Sequence, residues 1–312
     1  MLRALVLTSL AAVLQAQQSR VEGPVSGYVF DSSAQGLRPI LGVPGASLFG
    51  KPVDFGFAIS SAYAAPRQDA ALVVAADGSL HVFALDRGTA AEQTIQNLVS
   101  SPQRVLFSPS GTSAAIFAGG SIEVVTGLPN SPGVSGGVDL PAGTVPDSLA
   151  VSDDGSVLLV SANQAIHLYG SFADMGKLMD TAGPAMVAFA SGGHDAAIDD
   201  PTGAGVVLYR DLTGAGASQV VAAPDDTISA SSALAFSADG KSLLLASSTG
   251  QSVTSIDLAA GARNAIACTC SPNTLSRMGN LFRLNDLGTD PVWLLDPGAT
   301  NPQIVFVPAL AQ

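Results

Sequence analysis

Cations are scarce in this chain, and so are aromatic rings, histidines and cysteines. Its 13 Lys and Arg stand against 25 Asp and Glu, a formal net charge of −12, and the cations are scattered singly. Nucleic acid is held by clustered cations that release counterions from the phosphates, so charge argues against it as a partner. Aromatics at 5% supply no stacking platform for single strands either. An anionic membrane surface is disfavoured on the same ground. No segment reaches the about 18 uninterrupted apolar residues of a membrane helix, so no span is expected in the mature chain.

Three histidines and two cysteines leave little material for a metal centre. His81 in "SLHVFA" and His167 in "AIHLYG" share a sequence context but belong to separate repeats, and His194 sits in a turn, so no metal set and no cofactor is expected. The acidic pairs Asp153 with Asp154, Asp199 with Asp200 and Asp225 with Asp226 do not have EF-hand spacing and read as turn residues, with a calcium site as the alternative. The glycines of "GLPNSPGVSGG" and "LTGAGAS" do not follow a strand and open a helix, so no phosphate loop is present.

What the chain has is apolar residues at 47%, 33 glycines and a repeated phrase. "FSADGKSLLLAS" from Phe236 has counterparts in "FSPSGTSAAIFA" from Phe107, "VSDDGSVLLVSA" from Val151 and "FASGGHDAAIDD" from Phe189. The copies recur at intervals of about 40 residues, the length of a four-stranded propeller blade. Each holds an apolar strand ending near Ser, a Gly-containing turn, and further short strands. Weaker copies at Ile59 and Leu275 bring the first strands to six, with Phe57 and Ile59 on one face of the strand in the earlier one. Third strands number seven when "SGYVFDS" near Ser26 joins "SLHVFALD", "SIEVVTG", "AIHLYGS", "GVVLYRD", "SVTSIDL" and "PVWLLDP". The expected fold is an all-β propeller of four-stranded antiparallel blades, seven preferred over six. The chain would start in mid-blade, with "LRPILG" as a fourth strand, and close the ring by combining its termini in one blade.

The phrase "FSADGKSLLLASSTGQSVTSIDLAAG" (Phe236 to Gly261) resembles the bacterial YVTN-type propeller repeat and, more loosely, WD repeats. The regular His-Gly-type and Trp-Asp signatures are missing, and Asp31, Asp257 and Asp296 echo the terminal Asp alone. The resemblance implies the fold and permits several functions.

At the N-terminus Arg3 precedes an apolar run from Ala4 to Leu14, with Ala16 as a cleavage residue. Residues 1–16 therefore read as a signal peptide, 17–24 as a linker and 25–312 as the propeller, exported to the periplasm or beyond the cell. Leu14 is large for its place before the cut, which leaves an uncleaved anchor as the alternative. In an exported chain Cys268 and Cys270 form a possible disulfide. The pair needs a bend, because an extended strand holds such Cα atoms about 6.5 to 7 Å apart, and two half-buried thiols or a metal or redox role are the other readings.

Two functions follow. One is a noncatalytic exported scaffold, a monomer, binding a protein or glycan partner on the face of the fourth-to-first and second-to-third strand loops. Arg104, Asp147, Asn163, Asp225 and Asp226 would decorate that face. The other is a propeller hydrolase of the lactonase kind, acting at the central opening. The first strands carry Ala, Ser, Val, Leu, Ile and Phe with Arg277 as the main charged exception, and a lone cation orients an anion but is no general base, so no catalytic residue is assigned.

Overall fold

The computed structural model describes residues 23–214 and 216–310, so the expected signal peptide and most of the linker lie outside the described residues. Its regular structure is 27 strands and one helical turn, Asp226–Ser229. The strands form seven antiparallel sheets, six of four strands and one of three, each hydrogen-bonded in sequence order. In blades 2 to 7 the first strands are Ile59–Ala64, Arg104–Phe107, Ser148–Val151, Met186–Phe189, Ala233–Phe236 and Ser276–Met278. They line the middle of a ring of seven blades.

The repeated phrase is a turn with fixed chemistry. Ser108, Ser152 and Ser237 directly follow their first strands, and the Oγ of each accepts the amide of the residue five positions on, at 3.2, 3.0 and 3.0 Å. Their carbonyls accept the amides of Gly111, Gly155 and Gly240, which take φ of 74°, 73° and 70°. A side chain other than Gly is strained there, which is why the Gly recurs.

Alternation along each first strand then locks one blade to the next. Leu149 and Val151 pack with Phe117 and Ile122 of blade 3, while Ala150 turns the other way to meet Val187 and Phe189 of blade 5. Bulky side chains thus nest against small ones at each interface, and each fully buried Leu or Val stabilises the ring by about 1.5 to 3 kcal/mol. Blade 2 departs from this pattern. A bulge between Ile59 and Ser61 resets its first strand, and Phe57 lies in the preceding loop, its ring tilted against that of His81 with centroids 4.7 Å apart.

Blade 1 corrects three expectations. Its strands are Val25–Asp31, Gly36–Val43 and Ala46–Phe49. Gly27 and Tyr28 lie beside Met278 and Gln68, at the turn ends of blades 7 and 2, whereas Asp31 bridges Leu287 in the loop after the second strand of blade 7. Val25–Asp31 therefore runs in the direction of a second strand, not the third, and "LRPILG" belongs to a third strand, not a fourth. Among the described residues no strand from the C-terminal end joins blade 1, so the expected shared blade is not seen there. The last strand, Gln303–Val307, pairs with Val292–Asp296 as the fourth strand of blade 7.

Candidate functional site

The first strands enclose a central channel of about 840 Å³. At one end it meets the first-to-second strand turns, and at the other the fourth-to-first connections.

Arg277 stands at the turn end. Its Nε donates to the Gly279 carbonyl at 2.9 Å and its Nη1 reaches across to the Pro109 carbonyl of blade 3 at 3.1 Å. Burial lowers its pKa, and the negative charge of Asp153 partly offsets that. Asp153 itself is a staple between three blades. Its Oδ1 accepts the Ser110 amide of blade 3 at 2.7 Å, and its Oδ2 accepts the Gly192 amide at 2.7 Å and the Ser191 hydroxyl at 3.1 Å, both of blade 5. Burial pushes its pKa up, but these donors outweigh it and hold the carboxyl below its ordinary value. Asp154 is likewise held low: against burial it accepts Ser152 and Ser156 and lies 3.2 Å from His194 Nε2.

At the loop end Arg104 and Asp147 come together, through the backbone. Arg104 Nη1 donates to the Asp147 carbonyl at 2.6 Å, leaving the Asp147 carboxylate exposed. Asn163 is exposed in the second-to-third turn of blade 4 at φ 52°. Asp225 is structural: its Oδ1 caps the Asp226–Ser229 turn by accepting the Thr227 and Ile228 amides at 3.0 Å each, and its Oδ2 pairs with Arg263 of blade 6. Asp226, beside it, is exposed. Cys268 and Cys270 are bonded to each other, their Cα atoms 5.2 Å apart, because the chain leaves its strand and bends at Thr269.

The acidic pairs behave as turn and interface residues, and no group of three or more His, Cys, Asp or Glu that could hold a metal occurs among the described residues. One of them was not legible as more than a turn. Asp199 is fully buried, its Oδ2 accepting from Ser231 and its Oδ1 without a partner among the described residues. Burial, helped by the charge of Asp200, pushes its carboxyl up to about 6 against the pull of Ser231. The available signal was "AAIDD", an apolar strand running into two carboxylates.

No protein-family model and no curated protein matches the sequence. Solved structures do match in fold. A candidate 6-phosphogluconolactonase from Bacteroides uniformis superposes with a TM-score of 0.60 at 14% identity, over 92% of this chain and 97% of that one. A second, from Bacteroides fragilis, gives 0.59 at 16% identity over 91% and 92%. The WD40 repeats of RRP9 give 0.54 at 10% identity over 83% of each chain. Identities this low establish the architecture alone. The chain is a seven-bladed β-propeller with WD40-like structural neighbours.

Proposed function

We propose that this chain is an exported, noncatalytic propeller of the bacterial YVTN type that holds a protein or glycan partner on its fourth-to-first and second-to-third loop face. The observation that carries this reading is the unequal use of polar side chains at the two ends of the channel. At the turn end, Asp153 and Asp154 are consumed by donors from their own and neighbouring blades. A general base works best with a pKa near the operating pH, and carboxylates held low are poor ones. At the loop end, the side chains of Asp147, Asn163 and Asp226 are exposed and have no partner among the described residues. Polar groups free on a rigid frame suit the rim of an interface.

The second reading, a lactonase-type hydrolase, draws support from the two Bacteroides neighbours and from Arg277 at the turn-end mouth of a channel of about 840 Å³. One set of purified proteins separates the two. The mature chain and an Asp147→Ala, Asn163→Ala, Asp226→Ala variant are offered to a glycan array and to envelope extract, and both are assayed on lactones, esters and glycosides with and without calcium or zinc. Binding by the mature chain that the triple variant loses, without turnover, is the expected result. Turnover that survives repurification and disappears in Arg277→Ala would transfer the function to the channel.

A further inference from the structure

Between blades 3 and 4 lies a groove of about 390 Å³, apart from the central channel. Its floor is apolar: Val138 and Leu140 come from the outer edge of blade 3, Val160 and Ala162 from the second strand of blade 4, and all four are buried. The carboxylates of Asp139 and Asp174 and the amide of Asn163 line it from exposed positions. Tyr169 lines it too, although it is 5% exposed, and Asp174 is its register partner on the neighbouring strand. Burial and then the Asp174 charge raise the Tyr169 phenol above its usual value, so it stays a neutral hydroxyl. Neither that hydroxyl nor the Asp139 carboxylate has a hydrogen-bond partner among the described residues. The Tyr169 side chain is nearly buried while its hydroxyl atom stays accessible, so the one polar atom of a core-packed ring is free to pair with a group in the groove.

The lining selects the ligand by elimination. Among the described residues the lining sets two carboxylates against one imidazole, His167, with no Lys or Arg, a balance that disfavours an anion. A sugar wants a broad exposed aromatic face, whereas the Tyr169 ring is packed into the core between blades 3 and 4 and the only other aromatic ring there is the half-buried imidazole of His167. A divalent metal wants several oxygen ligands close together, and half of this lining is hydrocarbon. An organic cation meets each requirement, since its head can face carboxylates while its methylene stem covers apolar surface.

We propose that the groove between blades 3 and 4 binds an alkylammonium or guanidinium group, its head at Asp139 and Asp174 and its stem over Val138, Val160 and Ala162. Such a group comes either from a lysine or arginine side chain of a partner or from a free amine. The proposal deepens the loop-face reading, because Asn163 belongs to both. The two fail separately: amine binding that persists while no partner or glycan is captured would end that reading and leave this one.

The test is calorimetric titration with three probes: pentylammonium, the neutral 1-pentanol, and an acetylated, amidated tripeptide with a central lysine. Pentylammonium is expected to bind at least about tenfold more tightly than 1-pentanol, the worth of one charge-assisted hydrogen bond. The comparison uses the unaltered protein and needs no variant to fold. Asp139→Asn with Asp174→Asn is expected to erase that preference while leaving the thermal midpoint unchanged, and Tyr169→Phe to weaken binding several-fold. Tighter binding of the peptide than of pentylammonium assigns the site to a partner's side chain, and equal binding assigns it to a free amine. Absence of pentylammonium binding, equal affinity for the alcohol, or a preference that survives the double substitution would overturn the proposal.

Discussion

Blade 4 has four strands between Ser148 and Asp180, and its first strand packs between those of blades 3 and 5. Blade 1 has three, and the edge of its innermost strand, Val25–Asp31, meets a side chain and a loop where other blades have a strand. Gln68 Oε1 accepts the Tyr28 amide at 2.7 Å, Asp31 bridges Leu287, and the Gly279 amide donates to the Pro66 carbonyl at 2.6 Å across the junction of blades 7 and 2. The difference teaches that, among the described residues, the edge of blade 1 is joined to its neighbours through turns and not through a strand shared with the C-terminal end. Neighbouring turns satisfy some of these edge groups, as backbone donors need partners but not strands. It also teaches where to look for weakness. Interactions drawn from loops open more readily than those of a continuous ladder.

The largest effect expected from this comparison is at Asp31. It is 4% exposed, accepts the Ser33 and Ala34 amides at 3.0 Å each, and pairs with Arg38 Nε at 2.6 Å. Asp31→Ala strands a largely buried guanidinium and is expected to cost about 3 to 5 kcal/mol. The matched change in blade 4 is Asp154→Ala, where the side chain is 56% exposed and the loss is expected near 1 kcal/mol. Urea unfolding of both variants measures the gap. Equal losses would mean that the seam is no more dependent on its turn than a regular blade.

The same aspartate explains where the sequence misleads. "SGYVFDS" reads like a third strand because Asp31 accepts two turn amides just as Asp257 does from Ala259 and Ala260 at the end of a true third strand. Turn chemistry is local and does not encode strand order, so seven blades came from a count that misplaced one strand. What was legible is what is local and repeated: the Ser and Gly of each first turn, and the large and small faces that stack the blades. Arg277 could be placed at the opening by periodicity alone. Its acceptor, the Pro109 carbonyl, comes from four blades earlier in the chain, and no pattern in the sequence links the two. The exposed position of Asn163 was legible from its turn, whereas the groove beside it depends on how blade 3 meets blade 4.

A second contrast sets the seam against blade 5 by the sign of its pH dependence. Burial pushes the Asp31 carboxyl up, but Arg38 and the turn amides outweigh it and lower the pKa. Its stabilisation is therefore present above the ordinary value of 3.8 and lost as pH falls through the lower folded value. Asp199 is raised from 3.8 to about 6, so the folded protein binds the proton more tightly than the unfolded chain. Stability falls as pH rises from about 4 to about 6, and the full cost is present above that. Asp199→Asn removes the charge and is expected to stabilise the protein by about 2 kcal/mol at pH 8, with the gain shrinking to nothing near pH 4. Urea midpoints across that range decide it. A gain independent of pH would show that the side chain acts through packing and not through its proton.

The smallest and most local effect tests the seam's edge directly. Gln68 has φ 64°, its Nε2 donates to the Ala65 carbonyl at 2.7 Å, and its Oε1 holds the Tyr28 amide, so one side chain in a left-handed turn stands in for part of a strand. Gln68→Ala keeps the same backbone strain, because neither residue is Gly, and removes the acceptor. Leaving the Tyr28 amide unpaired is expected to cost about 1 to 2 kcal/mol. The loss should appear as faster hydrogen exchange at Tyr28 while Leu159, in the second strand of blade 4, exchanges as before. Gln68→Glu restores an acceptor at the same reach and should return Tyr28 to slow exchange at neutral pH. If Tyr28 stays protected in the alanine variant, its amide has another partner and the edge of blade 1 does not depend on blade 2. If both amides speed up together, the ring opens as one unit and the seam is no weaker than the blades it joins.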